Sequence, residues 1–117
     1  MSYRIAIASS NGESIDQHFG QAENFLIYEI TTDGAEFIED REVTNVGQEK
    51  KQHSDSNISQ RTDLLHDCKA VFVLKIGMRS SRYLYEHKIS SFEVNFPINR
   101  VLNTLVNNFK KGKVRII

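Results

Sequence analysis

The chain is expected to fold as an α/β sandwich, with a mixed sheet carrying helices on its faces. Two observations predict this. Two stretches, 3–9 with Ile5 and Ile7 between small residues and the continuous apolar run 70–74, have the look of interior strands. Between and after them the pattern switches repeatedly from strand period to helix period, in the order strand, hairpin, helix, strand, helix, strand, helix.

Taken in order, Tyr3 to Ser9 carries Ile5 and Ile7 between small residues, which suits a central strand. Phe25 to Ile30 is a second strand; Thr32, Asp33 and Gly34 turn the chain, and residues 24–43 read as a hairpin whose outer strand is an edge. TNVGQEKKQHSDSN, residues 44–57, holds one bulky apolar side chain, Val46, and reads as a surface loop. Ser54, Asp55 and Ser56 are N-cap candidates for a helix presenting Ile58, Thr62 and Leu65 and stopping near Asp67.

Ala70 to Leu74 is the second interior strand, and Lys75-Ile76-Gly77 turns into a short helix around 79–87, with Leu84 and the tyrosines available to face inward. Ser91 to Val94 is a further strand. Pro97 sets up a helix in which Ile98, Val101, Leu102, Leu105, Val106 and Phe109 form one apolar stripe ending at Lys110, Lys111 and Gly112. Val114 to Ile117 is either a last edge strand or a tail.

With 117 residues and no internal repeat, one domain over 1–117 is expected. Fifteen basic and fifteen acidic side chains cancel, so no global field draws in nucleic acid or an anionic membrane surface. The opening MSYRIAIASS is too short and interrupted for a signal peptide, and no apolar run approaches a membrane span, which points to the cytoplasm. The single Cys68 rules out an internal disulfide framework and a four-thiolate metal site within one chain. Asn57-Ile58-Ser59 matches a glycosylation sequon and is read as chance.

In open α/β sheets, functional loops gather at the carboxyl ends of parallel strands. If the two interior strands are neighbours, the loops at 9–24 and 75–78 lie side by side, and His18 shares a rim with Gly77. Within SIDQHFGQAENF, Asp16 is expected to cap a single helical turn that Gly20 ends, leaving His18 outward and Phe19 on the core. An imidazole so placed is either a metal ligand with Asp16 fixing its tautomer, or a solvated side chain beside a capped turn. Cys68 is either a small core residue or a ligand, His53 and His66 are surface candidates, and Lys75 could meet an anion.

Catalytic readings do less well. The interior strands carry no paired carboxylates for a metal-dependent hydrolase, Cys68 lies in no nucleophile motif, and Gly77-Met78-Arg79-Ser80 lacks phosphate-loop spacing.

RIAIASSNGESIDQHFGQAENFLIYEI resembles the amino-terminal signature of the dinitrogenase iron-molybdenum cofactor biosynthesis family, the NifX-like proteins, which also forms the carboxyl-terminal part of NifB. LLHDCKAVFVLKIG and Ile89-Ser90-Ser91-Phe92-Glu93 resemble its second region. The resemblance implies a three-layer, ribonuclease H-like fold with a mixed five-stranded sheet flanked by helices, and no catalytic activity. It implies a carrier for an iron-sulfur or iron-molybdenum-type cluster in nitrogen fixation, with the metallocluster and cofactor-assembly proteins as partners.

On that resemblance His18 is the foremost metal ligand and Cys68 a second, with Asp16, Gln17, Phe19, Gly20, Lys75 and Gly77 around the cluster. A preassembled cluster brings its own sulfides and needs few protein ligands, while Lys75 and backbone N–H groups near Gly20 and Gly77 would suit its negative charge. The sequence departs from the family at Met78-Arg79-Ser80-Ser81, bulkier and more basic than the usual glycine-rich continuation, and at Glu86-His87-Lys88-Ile89. A homodimer pairing two His18 loops is left open, and the rival reading is a metal-free interaction module using the same rim.

Overall fold

The computed structural model describes residues 2–43 and 55–112. Its elements are β1 (Tyr3–Ile7), a single 3-10 turn (Phe19–Gln21), β2 (Asn24–Thr31), β3 (Gly34–Glu42), α1 (Asp55–Leu64), β4 (Ala70–Val73), α2 (Met78–Glu86), β5 (Ser90–Glu93) and α3 (Ile98–Lys110). Of the expected loop at 44–57, residues 44–54, with His53 and the Ser54 cap, lie outside the described residues, as does the 114–117 segment, and residues 55–57 open α1 instead.

The strands form one five-stranded sheet in the order β3-β2-β1-β4-β5. β1 pairs parallel with β4 and β4 parallel with β5, whereas β1–β2 and β2–β3 are antiparallel. The mixed sheet is thus as expected, with the two apolar runs adjacent at its centre. Ile5, Ala6, Ile7 and all four residues of β4 have no exposed surface, because helices cover both faces of the parallel part.

One core joins Ala6, Phe19, Phe25, Ile27, Leu65, Val71, Val73, Leu84 and Ile89 on the face covered by α1 and α2. The other joins Ile5, Ile7, Leu26, Ile30, Phe72, Ile98, Val101 and Leu105 under α3. The alternation of residues along each strand between these two lists is the period-2 rule at work.

α3 follows the predicted stripe, with Ile98, Val101 and Leu105 buried. α2 departs from expectation, since among its apolar residues only Leu84 is fully buried, and Tyr85 stands outward at 75% exposure. A nine-residue helix that meets the sheet along one stripe has room for few inward positions. The hairpin turns at Thr31, whose hydroxyl accepts the N–H groups of Asp33 and Gly34.

Candidate functional site

The loop after β1 is built from short-range hydrogen bonds. The Ser9 hydroxyl accepts the Gly12 amide at 3.0 Å, and the Asn11 side-chain oxygen accepts the amides of Glu13 and Ser14 at 2.8 and 2.9 Å. Gly12 sits at φ 78°, a conformation that favours glycine. The loop then ties to the start of α3, where the Ile98 amide donates to the Glu13 carbonyl.

Asp16 does not cap the turn that follows. Its carboxylate accepts the Ser10 amide at 2.9 Å and the Ser10 hydroxyl at 2.6 Å, and the 3-10 turn at Phe19–Gln21 has no side-chain cap. These bonds, led by the Ser10 hydroxyl, hold the Asp16 carboxyl below its usual range. The expectation failed because Ser10, six residues back, offers two donors at once where the turn offers only its own amides. Gly20 lies inside the turn and does not end it.

His18 and Phe19 lie as expected, the first exposed and the second buried. The backbone explains why. Gln17 accepts the Leu74 amide at 3.0 Å and Phe19 donates to the Lys75 carbonyl at 2.9 Å, so 17–19 runs as a short parallel extension beside the end of β4. Alternation along that extension turns Phe19 inward and His18 out. Gln17 is half-buried, with its side-chain oxygen enclosed and without a hydrogen-bond partner.

The two loops enclose a cleft of about 580 Å³ lined by His18, Gly20, Gln21, Asn57, Ile58, Lys75, Ile76, Gly77, Arg79 and Ser80. His18, Gly20, Lys75 and Gly77 of the sequence-derived set therefore come together, and Asp16, Gln17 and Phe19 do not line the cleft. α2 begins at this cleft with Gly77 as its N-cap and no side-chain cap, so its N-terminal dipole favours negative charge there. The neighbouring Ile76 amide is taken by the Glu93 carboxylate at 2.9 Å.

Cys68 is not part of this arrangement. It precedes β4, and from Cys68 to Lys75 the strand spans roughly 20 Å at about 3.3 Å per residue. The thiol is buried, donates to the Asp67 carboxylate at 3.7 Å, and is pushed up to about 12 by burial. His66 is exposed with Nδ1 on the Asp63 carbonyl. Among the described residues no group of three or more His, Cys, Asp or Glu is placed to hold a metal ion.

Arg61, and the place of Asn57 in the cleft wall, were not anticipated from the sequence. Arg61 occupies the inward stripe of α1 with Ile58 and Thr62, just before the buried Leu65 that follows the helix, and is 4% exposed. One guanidinium nitrogen donates to the Ala22 carbonyl at 2.9 Å, another to the Asn57 side-chain oxygen, and Nε has no partner. A charged residue three positions after Ile58, on the stripe meant for the core, was the available signal.

Fold and cleft define an α/β protein with a ligand-sized opening at the carboxyl ends of its parallel strands, edged by one exposed imidazole. The chain belongs to the dinitrogenase iron-molybdenum cofactor family, whose model matches residues 1–111. It is 34% identical over 76 residues to protein NifX of Rhodobacter capsulatus, an overlap of 63% of this chain and 48% of that protein. It is 39% identical over 75 residues to the FeMo cofactor biosynthesis protein NifB of Azotobacter vinelandii, covering 62% of this chain and 15% of NifB. The chain thus spans about half of that NifX and a small part of NifB. Its fold matches the crystal structure of PH0822 with a TM-score of 0.65 at 23% identity, over 97% of this chain and 96% of the other. No helix among the described residues is long and apolar enough to cross a membrane.

Proposed function

We propose that this chain is a non-catalytic, cytoplasmic carrier that holds an iron-sulfur or iron-molybdenum-type cluster during cofactor assembly, with His18 as its ligand, and that residues 1–117 act as one domain. The observation that carries this reading is the placement of His18. It stands exposed on backbone pinned to Lys75, at the edge of a cleft that also receives the uncapped start of α2. Family membership and the NifX and NifB relatives support the same reading. The mixed sheet flanked by helices supports the ribonuclease H-like architecture that goes with it.

A cluster that arrives with its own sulfides needs one open coordination site filled, and a single imidazole permits release as well as capture. Lys75 and the amides that open α2 would meet the cluster's negative charge. Asp16 then acts at a distance, by fixing Ser10 and so the path of the loop into His18. Cys68, at the far end of β4, would need a second chain to share a cluster with His18.

The test is anaerobic titration of apo-protein with a synthetic [4Fe–4S] thiolate cluster, followed by absorbance and metal analysis after desalting. The parent should retain cluster and His18→Ala should lose most of it; equal retention by both would sink the ligand assignment. A second reading, docking of an assembly protein without metal, is favoured by Met78 and Tyr85, 78% and 75% exposed on the helix that opens the cleft. Retention by neither protein, together with partner binding lost in Tyr85→Ala, would favour that reading.

A further inference from the structure

The loop after β1 carries the chain's one Asn-Gly pair, Asn11-Gly12, in which a side-chain amide lies next to a backbone amide that no β-carbon hinders. Both residues are exposed, and a β-carbon at Gly12 would meet nothing within 4 Å. Closing a ring between the Gly12 nitrogen and the Asn11 side-chain carbon Cγ makes three demands. The nitrogen must lose its proton, Oδ1 must take up charge or a proton, and Nδ2 must leave as ammonia.

A buried hydroxyl meets the first two. Ser9, 1% exposed, accepts the Gly12 N–H through Oγ at 3.0 Å and donates its own proton to Asn11 Oδ1 at 3.3 Å. The same Oδ1 accepts the Glu13 and Ser14 amides at 2.8 and 2.9 Å, two fixed donors whose bonds strengthen as negative charge builds on the oxygen. Ser14 meets the third demand. Its Oγ accepts Nδ2 at 3.1 Å and donates to Oδ1 at 3.4 Å, so it bridges the oxygen to the leaving nitrogen. The Ile98 amide on the Glu13 carbonyl and the bridge between Ser14 and Pro97 hold these groups in place beforehand.

We propose that the 9–14 loop is a self-modifying site, in which Asn11 cyclises onto Gly12 and releases ammonia while Ser9 and Ser14 carry the protons. In the first step the Gly12 nitrogen bonds to Cγ; its proton passes to Ser9 Oγ as the Ser9 proton passes to Oδ1. In the second the Cγ–Nδ2 bond breaks; Oδ1 gives its proton to Ser14 as Ser14 gives its own to Nδ2, and ammonia leaves a succinimide. Water then opens the ring, at Cγ to give aspartate or at the backbone carbonyl to give isoaspartate. The second product adds a methylene to the main chain just ahead of the segment that leads to Asp16 and His18. None of this depends on the carrier reading.

The experiment incubates the full chain, native and in guanidinium chloride, from pH 6 to pH 8, and follows ammonia release and the mass of the peptide carrying Asn11. In the unfolded chain hydroxide must take the Gly12 proton, so the rate should climb about tenfold per pH unit. The native parent should react faster than the unfolded chain at pH 6 and stay nearly flat across the range, because its relay consumes no hydroxide. Ser14→Ala should slow the native reaction at least about tenfold, and Ser14→Thr, which keeps the hydroxyl, should restore most of the rate.

A native rate below the unfolded one at pH 6, or one that climbs as steeply with pH, would overturn the proposal. So would a folded Ser14→Ala that reacts as fast as the parent. The pH profile needs no variant, so the proposal stays open to refutation even where Ser14→Ala does not fold.

Discussion

At the scale of single residues, the same side chain types take opposite roles according to where the backbone leaves them. His18 is outward because 17–19 pairs with the end of β4, and Cys68 is inward because it enters the same strand under α1 and the hairpin. The thiolate is the reactive form of cysteine, and burial has moved the Cys68 thiol to about 12. Native protein at pH 8 should therefore react with iodoacetamide far more slowly than unfolded protein, at least tenfold by mass labelling with and without denaturant. Rapid native labelling would show that the thiol is open to solvent and available for ligation. Cysteine beside an apolar strand was legible in the sequence as a core candidate, whereas the partners of Asp16 and Arg61 were not, because Ser10 and Ala22 become neighbours only through the turns between them.

Among elements, the edge hairpin is fastened to the sheet centre by charge. Arg41 of β3 grips Asp67 through two nitrogens at 2.7 and 2.9 Å, and Arg4 of β1 reaches the same carboxylate at 3.1 Å and Glu29 of β2 at 3.1 Å. The Arg41 guanidinium, foremost, holds the Asp67 carboxyl well below its ordinary 3.8. A carboxylate with a depressed folded-state pKa adds stability above its unfolded value and loses it as pH falls through the folded one. Asp67→Asn should thus cost about 1 kcal/mol at pH 7, a modest figure because the side chain is partly exposed. The difference from the parent should shrink steadily below pH 4 in urea melts, and a gap that stays constant down to pH 2 would assign the loss to something other than this charge.

Over the whole molecule, one sheet separates two cores that, among the described residues, share no buried side chain. The sheet couples them into one unit, while side chains on opposite faces have no partners in common. Ile89→Val under α2 and Ile98→Val under α3 should each cost roughly 0.5–1.5 kcal/mol, and the double variant should match their sum within about 0.5 kcal/mol. Urea unfolding followed by far-ultraviolet and aromatic signals should give one coincident transition for all three. Separate transitions would mean that the two faces unfold independently.

By itself the sequence determined the order of elements, the two interior strands, the edge hairpin and the stripe of α3, since all of these follow from periodicity and turn chemistry within a few residues; it also anticipated an outward His18, though the pairing of 17–19 with the end of β4, not a local cap, is what turns it out. The tertiary structure decided which residues share the cleft. It put Lys75 beside His18, sent Asp16 to Ser10, left Cys68 at the far end of β4, and brought α1 across so that Arg61 lies behind Asn57. The physical reason is range: hydrophobic alternation acts on neighbours along the chain, but hydrogen bonds and charge act on neighbours in space, and those exist only once the parallel strands have paired.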